Sequence, residues 1–137
     1  MIDIIFKGIY DLYLTTNDFK TATNGRFYYA EAPQNTAFPY CVFNLVDSQF
    51  DRDFLDKQET ATVQFNIVDN GDGLATVTDC ESKMHTLFDD AILTLSGYYT
   101  ISMDREGTIL IKAEKELDDQ FSYHNLITTY KIYIEKS

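Results

Sequence analysis

The chain has 137 residues, the size of a single domain (1–137), and 45% of them are hydrophobic, which is enough to form a core. Its formal net charge is −11, from 22 acidic and 11 basic residues spread along the chain. Affinity for nucleic acid comes from Lys and Arg displacing counterions from phosphate, so this charge argues against a protein that grips DNA or RNA. It is compatible with a channel wall past which nucleic acid slides.

The two cysteines, Cys41 and Cys80, lie far apart and belong to no C-x-x-C or Cys/His cluster. We expect both to be buried, reduced thiols. The apolar N-terminus lacks a basic leader and a cleavage site, and no run approaches the length that spans a bilayer. The sequence therefore predicts a protein made and folded in a cytoplasm, with no membrane segment.

An N-terminal helix is predicted over residues 2–15, where apolar residues recur at spacings of three and four. The stretch 15–25 is rich in Thr, Asn and Asp, whose side chains favour turns by bonding their own backbone. It ends in Asn24-Gly25, a strong turn signal. The first loop is thus predicted to be a series of turns.

Two strands are predicted at Phe27–Glu31 and Tyr40–Val46, where apolar and polar residues alternate. Between them lie both prolines of the chain, Pro33 and Pro39. Each removes a backbone donor and pushes the preceding residue towards extended geometry. The prolines therefore set where one strand ends and the next begins.

The segment 47–59 is interpreted as the long connection of a β-hairpin. The second strand of that hairpin is Thr60–Val68, where alternation puts Ala61, Val63, Phe65 and Ile67 on one face, predicted to be the core face. A second helix is predicted over about residues 74–95, ending near Ser96-Gly97, where Gly can adopt the left-handed cap. Its apolar stripe should pack on the sheet.

A further hairpin is predicted from Tyr98–Met103 and Thr108–Glu116, with Asp104–Gly107 as its turn. An acidic linker at Leu117–Tyr123 leads to a last strand, Asn125–Glu135, which puts Leu126, Tyr130, Ile132 and Ile134 on one face. The whole pattern predicts an α+β fold: an antiparallel sheet of about five to six strands, an N-terminal and a central helix packed on it, and one long β-hairpin arm.

No catalytic, cofactor or metal site is predicted. Asp69–Gly73 fails as a calcium loop because glycines occupy positions that need oxygen ligands. His85 and His124 have no partners at metal-binding spacing. The adjacent pairs Asp89-Asp90 and Asp118-Asp119 point in different directions and are interpreted as solvated surface. Nothing supports an enzyme.

The hairpin connection is the candidate contact surface, since an acidic segment that also carries apolar side chains is unusual if merely solvated. The alternative is that these side chains fold back onto the sheet of their own domain. As an arm, the segment would reach a neighbouring subunit, with apolar anchors and charges for registration. The predicted interface residues are Phe50, Asp51, Arg52, Asp53, Phe54 and Leu55.

The order of elements resembles that of tail-completion proteins of long-tailed bacteriophages and prophages, which include tail terminators and tail-to-head joining proteins. The resemblance lies in a P-x-x-x-x-F-P-Y junction that leads into an apolar strand, followed by the strand Thr60–Val68. The matching residues at the junction are Pro33, Ala37, Phe38, Pro39, Tyr40 and Val42.

The resemblance implies a ring, commonly of six copies, at the head-proximal end of the tail tube. Such a ring would stop tube polymerisation, contact the tail tube protein and the head connector, and let DNA pass through its lumen. It implies no catalytic residue, cofactor or membrane, and a virion location at the tail–head junction after assembly in the host cytoplasm.

Three alternatives stay open. One is a head-completion or connector protein of the same virion class. Another is a small acidic adaptor or ligand-binding domain of bacterial origin, which would be monomeric and have an apolar pocket beneath the central helix. The last is an Asp-based metal-dependent hydrolase.

Overall fold

The computed structural model describes residues 2–52, 57–70, 74–114 and 122–136. In these ranges the chain forms three helices and one six-stranded sheet. The helices are α1 (Ile2–Tyr13), α2 (Asp18–Ala22) and α3 (Ala75–Phe88). The strands are β1 (Phe27–Tyr29), β2 (Tyr40–Arg52), β3 (Lys57–Asp69), β4 (Thr94–Leu95), β5 (Tyr98–Glu114) and β6 (Ser122–Lys136).

The strands lie in the order β1-β2-β3-β6-β5-β4. All neighbouring pairs are antiparallel except β1 and β2, which are parallel. The predicted α+β class is confirmed, although the sheet is mixed rather than purely antiparallel. None of the helices in the described ranges is long and apolar enough to cross a membrane.

The core lies on one face of the sheet, as the alternation along β3 and β6 predicted. Successive side chains of a strand point to opposite faces, so every second residue is buried. The buried residues of these two strands include Ala61, Val63, Phe65, Ile67, Leu126, Tyr130, Ile132 and Ile134. Both cysteines are free and buried, which confirms that prediction.

Stacked aromatic rings join the sheet to the helices. The ring centroid of Phe27 lies 4.2 Å from that of Tyr13 on α1 and 4.7 Å from that of Phe43 on β2. In the same cluster, the ring centroid of Phe65 on β3 lies 4.6 Å from that of Phe88 on α3. Such pairs add to stability beyond the area they bury.

Helix α1 ends at Tyr13, two residues earlier than predicted, and the predicted turn region contains α2. Asn17 caps α2, because its side-chain Oδ1 accepts a hydrogen bond of 2.7 Å from the backbone N–H of Lys20. The turn at Asn24-Gly25 is confirmed, since both residues have positive φ angles.

The second helix ends at Phe88 rather than near Ser96-Gly97, which corrects the prediction. Asp90 adopts a φ of +57° after the helix, and the chain then runs extended into β4. The Thr100 hydroxyl bonds both the backbone N–H and the C=O of Leu93, at 3.1 Å each. These bonds hold residues 91–95 beside the sheet, and Gly97 forms the β4–β5 turn instead of a helix cap.

The predicted hairpin over 98–116 is wrong, because residues 98–114 form one strand. Asp104 pairs with Lys131, and Gly107 pairs with Thr129, so the expected turn is part of the ladder. Strand β6 is 15 residues long and supplies a partner along all of β5. The β5–β6 register shifts twice, between Thr100 and Ser102 and between Arg105 and Gly107, and each shift is a β-bulge.

The segment 47–59 is also not a long connection. The β2–β3 ladder continues to the pair Arg52–Lys57, so only residues 53–56 separate the two strands. Strand β6 runs beside β3 as far as the pair Gln58–Glu135. The hairpin is therefore built into the sheet over most of its length. Asp53, Phe54 and Leu55 lie outside the described residues.

Candidate subunit interface

The sheet has a largely unpaired edge at each side. On one side, β4 pairs only with Tyr98 and Tyr99, so no strand of the described ranges borders the outer side of β5 beyond these two residues. On the other side, β1 pairs only with Cys41–Phe43, so residues 44–52 of β2 pair with β3 but have no described strand on their outer side. Unpaired N–H and C=O groups on such edges can bind another strand.

The β5 edge carries exposed apolar side chains on both faces of the sheet. Ile109, Leu110 and Ile111 are 63%, 43% and 46% exposed, and Ile101 near the start of the strand is 46% exposed. Consecutive exposed apolar residues on an unpaired edge strand are typical of a contact surface or an aggregation hazard. We call residues 108–111 the β5 apolar run.

A polar cluster anchors β5 to the end of α3 at the second bulge. An Arg105 guanidinium nitrogen lies 3.4 Å from an Asp89 carboxylate oxygen, and another Arg105 nitrogen is hydrogen-bonded to His85 Nδ1. Asp89 also accepts a hydrogen bond of 2.6 Å from the Tyr130 hydroxyl. The position of the strand that bears the apolar run is therefore tied to the helix.

Burial sets the protonation of this cluster. The pKa of Tyr130 is raised, first by burial and then by its hydrogen bond to Asp89. The pKa of His85 is lowered, first by burial and then by the neighbouring Arg105 charge. Neutral His85 can accept a hydrogen bond from Arg105 through Nδ1, whereas protonated His85 cannot.

Pro33, Phe38, Pro39 and Tyr40, residues of the P-x-x-x-x-F-P-Y junction, lie on and after the crossover loop 30–39 between β1 and β2. Arg26 donates hydrogen bonds to the carbonyl oxygens of Pro39 (2.9 Å) and Phe38 (3.1 Å). The Phe38 ring lies 5.5 Å from Tyr40 and 5.6 Å from Tyr123.

This loop borders a cleft of about 600 Å³ whose floor includes Asn44, Asn66 and Asn125. These three asparagines belong to β2, β3 and β6. The face of the sheet that they share is opposite the core, because the buried residues of the same strands alternate with them. The cleft is therefore not the apolar pocket beneath the central helix that a small ligand-binding domain would have.

The structure brings part of the predicted interface to an edge. Phe50, Asp51 and Arg52 lie at the end of β2, where the strand pairs with β3 and its outer edge is open, whereas Asp53, Phe54 and Leu55 are outside the described residues. The β5 apolar run was missed because the sequence interpretation placed a turn just before it. The sequence did contain a sign of this run. Ile109, Leu110 and Ile111 are three consecutive apolar residues, so they depart from the alternation expected of a strand with one solvated face.

The structure also places the histidines and the Asp89 carboxylate that the sequence analysis considered. His85 is half-buried on α3, and His124 is buried on β6. Asp89 is not simply solvated, because it binds Tyr130 and Arg105. Within the described ranges no group of three or more His, Cys, Asp or Glu side chains is placed to hold a metal ion.

No family model and no curated protein matches the chain. Among solved structures it is similar to a chain in the virion of a native gene transfer agent particle, with a TM-score of 0.77 and 14% identity over 94% of this chain and 92% of that one. A second solved chain, known only by a sequence identifier, has a TM-score of 0.50 and 13% identity over 100% and 96%. At these identities the similarity shows a shared fold over nearly the whole length of both chains.

Proposed function

We propose that this protein is a non-enzymatic structural component of a phage-like virion, where a ring of copies caps the head-proximal end of the tail tube and joins the tail to the head. The observation that carries this proposal is the fold shared with a chain of a gene transfer agent virion over 94% of the sequence. Because such low identity shows the fold alone, the role is an inference from fold and surface together.

The surface supports an assembly protein. The described sheet ends in two largely unpaired edges, and one of them exposes consecutive apolar residues, as expected of a subunit that binds other subunits. The net charge of −11 suits a lumen that repels DNA and lets it pass. The partners we propose are other copies of the chain, the tail tube protein and the head connector.

Deletion of the gene from the phage or prophage that encodes it tests this role. We expect DNA-filled heads without tails, beside free tails of irregular length, because nothing stops tube polymerisation. Expression of the wild-type gene in trans should restore normal particles. Normal virions with tails of regular length in the deletion strain would refute the proposal.

A head-completion or connector role is the second candidate, since the match to a virion chain supports it equally well. The same deletion separates the two roles by electron microscopy of the lysate. Free tails of regular length beside heads that have lost their DNA would favour head completion. Free tails of irregular length would favour tail termination.

A further inference from the structure

We infer that the outer edge of β5 in one copy pairs with the outer edge of β2 in the next copy, so that the sheets of neighbouring subunits form one continuous ladder. The partner is thus a second copy of this chain. The inference deepens the proposed function, on which its place in the virion rests, but its argument comes from the strand order and the exposed residues.

The strand directions permit this contact. The order β2-β3-β6-β5 is antiparallel at each step, so β2 and β5 run in opposite directions. Copies that repeat head to tail therefore bring β5 beside the next β2 as an antiparallel pair, the more stable kind of ladder. The open stretch of β2 covers residues 44–52, and that of β5 covers residues 100–114, which is long enough to pair with all of it.

The apolar run decides which part of β5 makes the contact. In a chain of net charge −11, copies repel one another, so close approach is favoured where charge is absent. Residues 108–111 are uncharged, and Ile109, Leu110 and Ile111 are all exposed. Pairing at this run removes apolar surface from water and satisfies the edge hydrogen bonds together.

The register then requires a stagger between copies. Ser48, at the middle of the open β2 stretch, lies level with Met103 through the ladder Ser48–Ala61, Ala61–Ile132 and Ile132–Met103. Leu110 pairs with Leu126 and Met103 with Ile132, so seating Leu110 there shifts the next copy by 132 − 126 = 6 ladder positions, or about 20 Å along the strands. A sheet that closes on itself requires strands that are tilted and staggered in register.

A head-to-tail contact is heterologous: it uses both edges of every copy, and it forms a ring where the rotation between copies closes. A two-fold contact between two β5 edges would instead stop at a dimer and leave both β2 edges unpaired. The continuous ladder is therefore the arrangement that covers both open edges of the described sheet.

Complementation between two edge variants tests the inference. Lys on an edge strand blocks pairing, so one variant carries Ile109→Lys with Ile111→Lys, and the other carries Val46→Lys, a residue 54% exposed on β2. Each variant alone should lose the oligomer that the wild type forms over a concentration series in analytical ultracentrifugation. A mixture should form a one-to-one heterodimer, since one intact edge remains on each variant.

Ile92→Lys, at a residue 79% exposed outside the strands, is the matched control and should assemble like the wild type.

A photo-crosslinking amino acid at position 109 of the otherwise wild-type chain gives an independent readout, which also detects weak association. We expect cross-links between chains to residues 44–52. Cross-links from β5 to β5, wild-type assembly of the Val46→Lys variant, or a mixture that stays monomeric would overturn the inference. So would a wild-type chain that is monomeric throughout and gives no cross-link to β2.

The two proposals fail separately. Cross-links from position 109 to residues 44–52, together with normal virions after gene deletion, would keep the ladder and refute the role in the tail. Tail defects with cross-links between β5 edges would keep the role and refute the ladder.

Discussion

The Tyr130 hydroxyl on β6 donates a hydrogen bond of 2.6 Å to the Asp89 carboxylate, just beyond the end of α3. Tyr130 is fully buried, so its hydroxyl needs this acceptor. Asp89 also lies 3.4 Å from Arg105 on β5. One carboxylate thus joins the last turn of the helix to the strand with the exposed apolar run.

Replacing Tyr130 with Phe should lower the free energy of unfolding by about 1.5–3 kcal/mol, because the hydrogen bond of this buried residue has a charged acceptor. Urea denaturation of both proteins measures the difference. Tyr133→Phe is a matched control on the opposite face of β6, where the residue is only half-buried, and should change stability little. Equal stability of Tyr130→Phe and wild type would mean that the hydrogen bond contributes nothing.

Stability should fall in mild acid because of His85. Its pKa is lowered in the folded protein by burial and by Arg105, so the unfolded chain takes up a proton first, below its ordinary pKa of about 6.5. The stabilising effect is complete above that pH, is lost as the pH falls below it, and stops changing below the pKa of the folded state. Thermal unfolding between about pH 7.5 and pH 5.5 measures the loss.

His85→Gln is the reference for this pH effect. It removes the titrating group while keeping a side chain that can accept a hydrogen bond from Arg105. His124 remains in both proteins, so the difference between the two pH profiles belongs to His85. Parallel profiles would show that His85 does not couple protonation to folding.

The aromatic core should be sensitive to truncation at Phe65. This side chain is fully buried, and its ring lies 4.6 Å from Phe88 and 5.5 Å from Tyr130. Phe65→Ala should cost about 3–5 kcal/mol of unfolding free energy, from lost burial and the cavity that remains. Ile92→Ala, at an exposed residue, should be nearly neutral. Chemical denaturation compares them, and a small effect at Phe65 would contradict the packing described.

Arg26 should hold the crossover loop in place. Arg26→Gln loses the guanidinium donors to the Phe38 and Pro39 carbonyls, so amide exchange in residues 30–39 should accelerate. We expect a loss of about 1–2 kcal/mol in global stability. Hydrogen–deuterium exchange with peptide resolution measures the first effect. Lys7→Gln, which removes an exposed ion pair with Asp11, should leave the loop unchanged.

Both thiols should be unreactive in the native protein. Burial raises the pKa of Cys41 well above its usual value and, with Asp79 and Asp69 nearby, raises the pKa of Cys80 to about 11. The thiolate is the reactive form, so little of it is present at neutral pH. A thiol reagent should modify neither cysteine until denaturant is added. Fast reaction of one equivalent in buffer would contradict this.

Much of the fold follows from local pattern. The alternation along β3 and β6 predicted the buried face correctly at Ala61, Val63, Phe65 and Ile67, because the direction of a strand side chain depends only on its place in the strand. The turn at Asn24-Gly25 was likewise readable, since these residues tolerate positive φ.

What the sequence determined by itself is therefore which side chains of β3 and β6 face the core and that the chain turns at Asn24-Gly25. Only the tertiary structure decided how far each strand runs. Because β6 pairs with β5 along its whole length, Asp104–Gly107 stays in the strand and contains a bulge instead of a turn. It also decided that Asp89 binds Tyr130 and that residues 109–111 lie exposed on an edge. These features depend on which strand lies beside which, and no single stretch of sequence contains that pairing.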